Sequence, residues 1–149
     1  MPKASVKKII ECKKNELIDL VLDIEKYPEF VPFCLDAKIY ERNKKGHLIL
    51  IVADLTIGKG PFKDTYKSDV TFNKNKDSIF VTNIDGPLKH LENTWQFKEN
   101  NNYTEVSFDV DFELKNDFLN ILMTKSFQFG LNKIADAFQK RAETLFSKN

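Results

Sequence analysis

Residues 106–114 read "VSFDVDFEL", and this stretch restricts the fold more than any other. Val106, Phe108, Val110, Phe112 and Leu114 alternate with Ser107, Asp109, Asp111 and Glu113. A period of two gives a strand one apolar and one acidic face, so it belongs to a sheet that is covered on one side and wet on the other.

The same patterning predicts strands at about 35–43, 46–58, 62–73, 77–84, 89–98 and 103–114, with the cues "NKKG", "GKGP", "NKNK", "DGP" and "ENNN" between them. Six consecutive strands with short turns make an antiparallel meander. The opening "ASVKKIIE" reads as one more strand. Leu17, Ile18, Val21, Leu22 and Ile24 then follow a helical spacing, with Asn15 as candidate N-cap. Pro28 and Pro32 end that helix, leaving room for a short turn around Glu29 to Val31.

The C-terminal part is helical. Phe127, Leu131, Ile134, Phe138 and Leu145 form a stripe suited to the concave side of a sheet. "NDFLNILM" before it does not share the stripe and reads as a short, nearly all-round apolar turn capped by Asn116. Burying each of its five large side chains is worth roughly 1.5–3 kcal/mol, so they do not all face water. The segment either packs on its own core or meets a ligand, a partner or a bilayer edge. The fold class is therefore α+β: a curved antiparallel sheet around a long C-terminal helix, one domain over residues 1–149.

Composition narrows the function classes. With 23 basic against 22 acidic residues the net charge is +1, so no overall basic field draws the chain to DNA. Lys3, Lys7, Lys8, Lys13 and Lys14 either solvate an exposed strand or form a local patch for phosphate or an anionic membrane. The start lacks a signal-peptide pattern and no stretch is long enough to span a bilayer, which predicts a cytoplasmic protein, peripheral at most on the inner face of the cell membrane. Cys12 and Cys34 lack CxxC spacing and read as free thiols.

No catalytic or metal site is assigned. His47 and His90 belong to no metal-ligand spacing, and "GKGP" lacks the spacing of a phosphate loop. Asp109, Asp111 and Glu113 are either a solvent face or a source of acid–base chemistry. Cys34 has no basic partner nearby in sequence and reads as a small buried thiol. In "HLILIVADLTIG" both faces are apolar, so the second face meets a partner or a helical layer. Thirteen Phe, four Tyr and one Trp are a large stock of rings for a core or for the wall of an apolar cavity. The candidate wall is Phe33, Tyr66, Trp95, Phe97, Phe108, Phe112, Phe127, Leu131 and Phe138, and the candidate portal or membrane contact is Phe118, Ile121 and Leu122. Tyr66 and Trp95 carry polar groups able to orient a polar atom of a ligand. Such a site needs a cavity of about 300 Å³ or more.

"YPEFVPFC" at 27–34, "DGPLKHLENTWQF" at 85–97, "VDFEL" at 110–114 and "AFQKRAE" at 137–143 resemble, in order and over almost the full chain, the coenzyme Q-binding START-like family. That family includes bacterial RatA-type ribosome-association proteins and members labelled oligoketide cyclase or lipid transport proteins. The resemblance implies a helix-grip fold and binding of ubiquinone or a related prenyl lipid in support of respiration, with no required cofactor. It also implies two alternatives: toxin-like association with the large ribosomal subunit, and polyketide cyclase or dehydratase chemistry.

Overall fold

A computed structural model describes residues 3–59, 62–85, 88–115 and 117–146, with the side chains of 59, 62, 85 and 118–126 outside the description. Strand β1 (Lys3–Ile10) leads into helix α1 (Lys14–Leu22) and a 3-10 helix (Ile24–Glu29). Strands β2 (Cys34–Lys45), β3 (Leu48–Lys59), β4 (Phe62–Asn73), β5 (Ser78–Asp85), β6 (Leu88–Glu99) and β7 (Thr104–Leu114) follow, and helix α2 (Asp117–Phe146) ends the chain. The meander forms as the alternation predicts, and β1 pairs with β7 to give a curved seven-stranded antiparallel sheet in the order β1-β7-β6-β5-β4-β3-β2.

Register explains which side chains enter the core. Phe108 pairs with Trp95, Trp95 with Ile79, Ile79 with Phe72 and Phe72 with Ile49, so one row of large apolar groups crosses the sheet. A parallel row runs Ala4, Val110, Asn93, Val81, Val70 and Ile51. Inner residues of β3 include Ile51 and Ala53, both fully buried, whereas Leu50 and Val52 on its outer face are half-buried. Edge strand β2 breaks register between Cys34 and Asp36 and between Ile39 and Glu41, irregularities that make an edge a poor template for further pairing.

Helix α1 starts two residues earlier than Asn15 would place it. The backbone N–H of Lys13 donates to Glu16 Oε1 at 3.0 Å and that of Lys14 to Glu99 Oε2 at 2.9 Å, so two carboxylates serve the free amides and Lys13 takes the N-cap position. The short turn also comes early, at Ile24–Glu29, with Pro28 tolerated inside it.

On α2 the buried stripe is Leu131, Ala135, Phe138 and Ala142. Leu145 departs from the expected stripe: it is 51% exposed, and Phe146, four residues after Ala142, packs on the core in its place. Helix Asp117–Phe146 is continuous, and the Asn116 cap lies outside the described residues. Against the sheet α2 lies along β1 and β7, and α1 packs beside it.

Candidate functional site

The interior between sheet and helices is built from rings. Trp95 lies against Phe108 with centroids 3.9 Å apart, and Phe138 of α2 meets Trp95 edge-on at 5.1 Å. Phe97 is stacked parallel to Trp95 at 6.4 Å. Phe138 also receives Phe30 at 5.1 Å and Tyr27 at 5.4 Å, both edge-on, so the 3-10 corner closes the cluster. One helical turn before Leu131, Phe127 packs on Phe112 at 4.4 Å as a second group.

Beside the first cluster lies a pocket lined by Val6, Lys8, Ile10, Leu17, Trp95, Phe97, Phe108 and Phe138 among others. Its free volume is about 20 Å³, room for about one water molecule. The expected space of 300 Å³ is therefore not present here; rings that were to line it fill it by packing on one another. A larger hollow of about 540 Å³, lined by Leu35, Asp36, Thr56, Lys63, Asp64 and Thr65, is mostly polar and lies at the β2–β3–β4 end, away from the rings.

Of the nine candidate wall residues, Trp95, Phe97, Phe108, Phe112, Leu131 and Phe138 are buried and Phe127 is half-buried against them. Tyr66 is half-buried farther along β4, opposite Leu55. Burial, then the neighbouring Cys34 thiol, raises its hydroxyl well above the usual tyrosine range. Phe33 stands apart: it is 40% exposed and holds φ at 68°, a left-handed conformation forced where the 3-10 corner turns into β2. The portal candidates Phe118, Ile121 and Leu122 lie outside the described side chains.

Other groups settle into structural roles. Tyr27 donates its hydroxyl to the Val21 carbonyl at the end of α1, and burial raises its pKa strongly. The Cys34 thiol is pushed up to about 11, first by burial and then by Asp36, and its Sγ lies 3.6 Å from the Asp36 carbonyl. A thiol so disfavoured as thiolate is a poor nucleophile at neutral pH. Asp109 is exposed, while Asp111 pairs with Lys3 at 3.7 Å and Glu113 with Lys89 at 3.4 Å, all on the face away from the rings. The N-terminal lysines are likewise engaged: Lys7 with Glu105 at 3.0 Å, Lys14 with Asp77 at 3.1 Å, and Lys8 with Asp136 of α2. Among the described residues, no three His, Cys, Asp or Glu side chains gather as a metal site, and no helix is long and apolar enough to cross a membrane.

Two inward residues escaped the sequence reading although parity could have found them. Lys8 shares its side of β1 with Ala4, Val6 and Ile10, and Asn93 shares its side of β6 with Leu91, Trp95 and Phe97. Strand alternation marks both as inward; residue type alone marks them as outward.

A curved sheet closed by a C-terminal helix over an apolar, ring-lined interior defines a helix-grip protein. Residues 13–139 match the family described as polyketide cyclase / dehydrase and lipid transport, and the chain belongs to this START-like family. It is 32% identical over 139 residues to a ribosome association toxin RatA of Rickettsia prowazekii (strain Madrid E), covering 91% of this chain and 92% of that one. It is 34% identical over 139 residues to the mitochondrial coenzyme Q-binding protein COQ10 of Dictyostelium discoideum, covering 91% of this chain and 66% of that one. The solution structure of an 18 kDa protein from Caulobacter crescentus superposes with a TM-score of 0.80 at 26% identity, covering 97% of this chain and 98% of the other. A START superfamily protein from Mycobacterium smegmatis gives a TM-score of 0.82 at 19% identity, covering 96% and 98%, and shares the fold.

Proposed function

We propose that the chain binds and carries an apolar ligand of the prenylquinone class between the sheet and α2, loading it by peripheral contact with a membrane. The observation that carries this reading is the interior itself: the pocket's lining is apolar except for Lys8 at its rim, and rings from β6, β7 and α2 converge on it. A prenyl tail in a bilayer already enjoys about 0.8 kcal/mol per buried CH₂, so a carrier must offer a comparably dry and apolar surface. With only about 20 Å³ free, ligand enters by parting the rings and moving α2 away from the sheet. The coenzyme Q-binding relative supports the choice of ligand class.

The test is organic extraction of protein purified from its native host, followed by mass spectrometry for prenylquinones, with titration of added quinone against Trp95 fluorescence. Copurified prenylquinone and saturable quenching are expected. Absence of both removes the reading.

A second reading, association with the large ribosomal subunit, is favoured by the relative named a ribosome association toxin. Its support in the sequence, the N-terminal lysines, is weakened by the carboxylate partners of Lys3, Lys7, Lys8 and Lys14. Co-sedimentation with ribosomal subunits at low and raised salt distinguishes it, since phosphate contacts weaken steeply with salt. Cyclase or dehydratase chemistry needs an acid or base facing the ligand, and among the described residues the one titratable group in the pocket's lining is Lys8, which is paired with Asp136.

A further inference from the structure

Several polar side chains on the inner face of the sheet are spent on the backbone. Ser68 Oγ lies 3.4 Å from the Ala53 carbonyl. Asn83 uses both ends of its amide: Nδ2 donates to the Leu88 carbonyl at 3.0 Å, and Oδ1 accepts from the Leu91 N–H at 3.0 Å. Asn93 does neither. Its Oδ1 is shut off from solvent and has no hydrogen-bond partner. An amide oxygen stripped of water and left unpaired costs about 1–3 kcal/mol, so it needs a reason to be there.

Its position supplies one. Asn93 lies in register between Val81 of β5 and Val110 of β7, on the same side of β6 as Leu91 and Trp95. Trp95 and Phe108, the stacked pair, are the next inward residues in one direction along their strands, and Phe112, which holds Phe127, is the next in the other. The unpaired oxygen thus sits on an otherwise apolar wall between two groups of rings. Among the described residues two other buried polar atoms lack partners, Asp111 Oδ1 and Arg141 Nε, but each belongs to a side chain that pairs through another atom.

We infer that Asn93 is the polar anchor of the apolar-ligand site: Oδ1 accepts a hydrogen bond from a hydroxyl on the head of the ligand, and the head lies between the Trp95–Phe108 stack and the Phe112–Phe127 pair. This rests on the apolar-ligand reading and adds to it an orientation and a chemical preference. A quinol hydroxyl can donate to this oxygen, whereas a carbonyl-only head offers it no donor and would have to meet the amide Nδ2 instead. Replacement of Asn93 by a residue like its neighbours Val81 and Val110 removes the unpaired group from the empty protein and the anchor from the loaded one.

The experiment compares wild type with Asn93→Val and Asn93→Leu, using a short-chain ubiquinol under reducing conditions and squalene, a hydrocarbon with no polar atom, each measured by retention of radiolabelled probe through gel filtration. Both variants are expected to melt at or above the wild-type temperature without ligand, to hold squalene within about twofold of wild type, and to lose about tenfold in quinol affinity, the weight of one well-made hydrogen bond. Unchanged quinol affinity in a folded variant overturns the anchor while leaving the carrier reading intact. Equal losses for quinol and squalene overturn it too, since they show a packing role. Wild type that retains neither probe removes the carrier reading and the anchor with it.

Discussion

Trp95 and Phe108 stack across β6 and β7 with centroids 3.9 Å apart and planes 19° from parallel, and Phe138 closes on Trp95 from the helix. Both strands present these rings in the same register pair, so the contact joins the sheet's centre to α2. Phe108→Ala leaves a void that its neighbours fill only in part and is expected to cost about 3–5 kcal/mol. Because Trp95 is the chain's single tryptophan, its emission should shift to the red as water reaches the void. Urea denaturation read by that emission checks both. A cost under about 1 kcal/mol would show that the stack does not hold the core together.

Arg141 of α2 reaches Glu29 at the 3-10 corner, Nη2 to Oε1 at 2.8 Å, while its guanidinium lies 5.1 Å from the centre of the Phe30 ring. The hydrogen bond from Arg141, and then the charge of Lys26, hold the Glu29 carboxyl below its ordinary value of 4.5. A lowered carboxylate pKa stabilises the fold above the unfolded value, and that contribution is lost as pH falls through the folded value. The difference in melting temperature between wild type and Glu29→Gln should therefore be level from pH 7 to about 5 and shrink below 4.5. A difference that persists unchanged at pH 3 would assign the effect to packing of the corner.

Strand parity carried most of the fold, because a sheet with one wet face writes its register into the chain: the alternation at 106–114 became the inner and outer faces of β7 without exception. Helix ends were less legible. Asn15 is a good cap by residue type, but Glu99, distant in sequence, supplies the acceptor that sets the start of α1. Among the candidate wall residues, the burial of those on β6, β7 and α2 could be read from periodicity, whereas the place of Phe33 could not, since a corner has no period. The volume between the rings was not legible at all, because whether rings line a space or fill it depends on a few ångströms of layer spacing that no residue pattern encodes.

Phe33 holds its corner with a left-handed backbone and is 40% exposed. For a residue with a Cβ that conformation costs about 1–2 kcal/mol, whereas glycine adopts it freely at a cost of about 0.5–1 kcal/mol in the entropy of the unfolded chain. Loss of the ring's partial burial costs roughly 1–2 kcal/mol against that relief, so Phe33→Gly should lie between neutral and about 2 kcal/mol destabilising in thermal denaturation. Quinone titration of the same variant checks the site: an affinity equal to wild type is expected from a ring outside the core cluster. A tenfold loss would return Phe33 to the ligand wall.

Among the described residues, edge strand β1 is held to α2 by two polar contacts, Lys8 with Asp136 and the Gln128 Nε2 donating to the Ser5 carbonyl at 3.1 Å. Lys8 also lines the pocket, so the ion pair stands where the helix must leave the sheet for a ligand to pass. Asp136 is 63% exposed at its side chain, and an ion pair of that kind is worth about 0.2–1 kcal/mol. Asp136→Asn should leave the melting temperature close to wild type and speed quinone uptake from vesicles by about 1.5- to 5-fold, because the lost contact belongs to the closed form alone. Raised salt should bring wild type towards the variant while leaving the variant's rate unchanged. Stopped-flow quenching of Trp95 reads these rates, and identical uptake by the two proteins at low salt would place the opening elsewhere on the molecule.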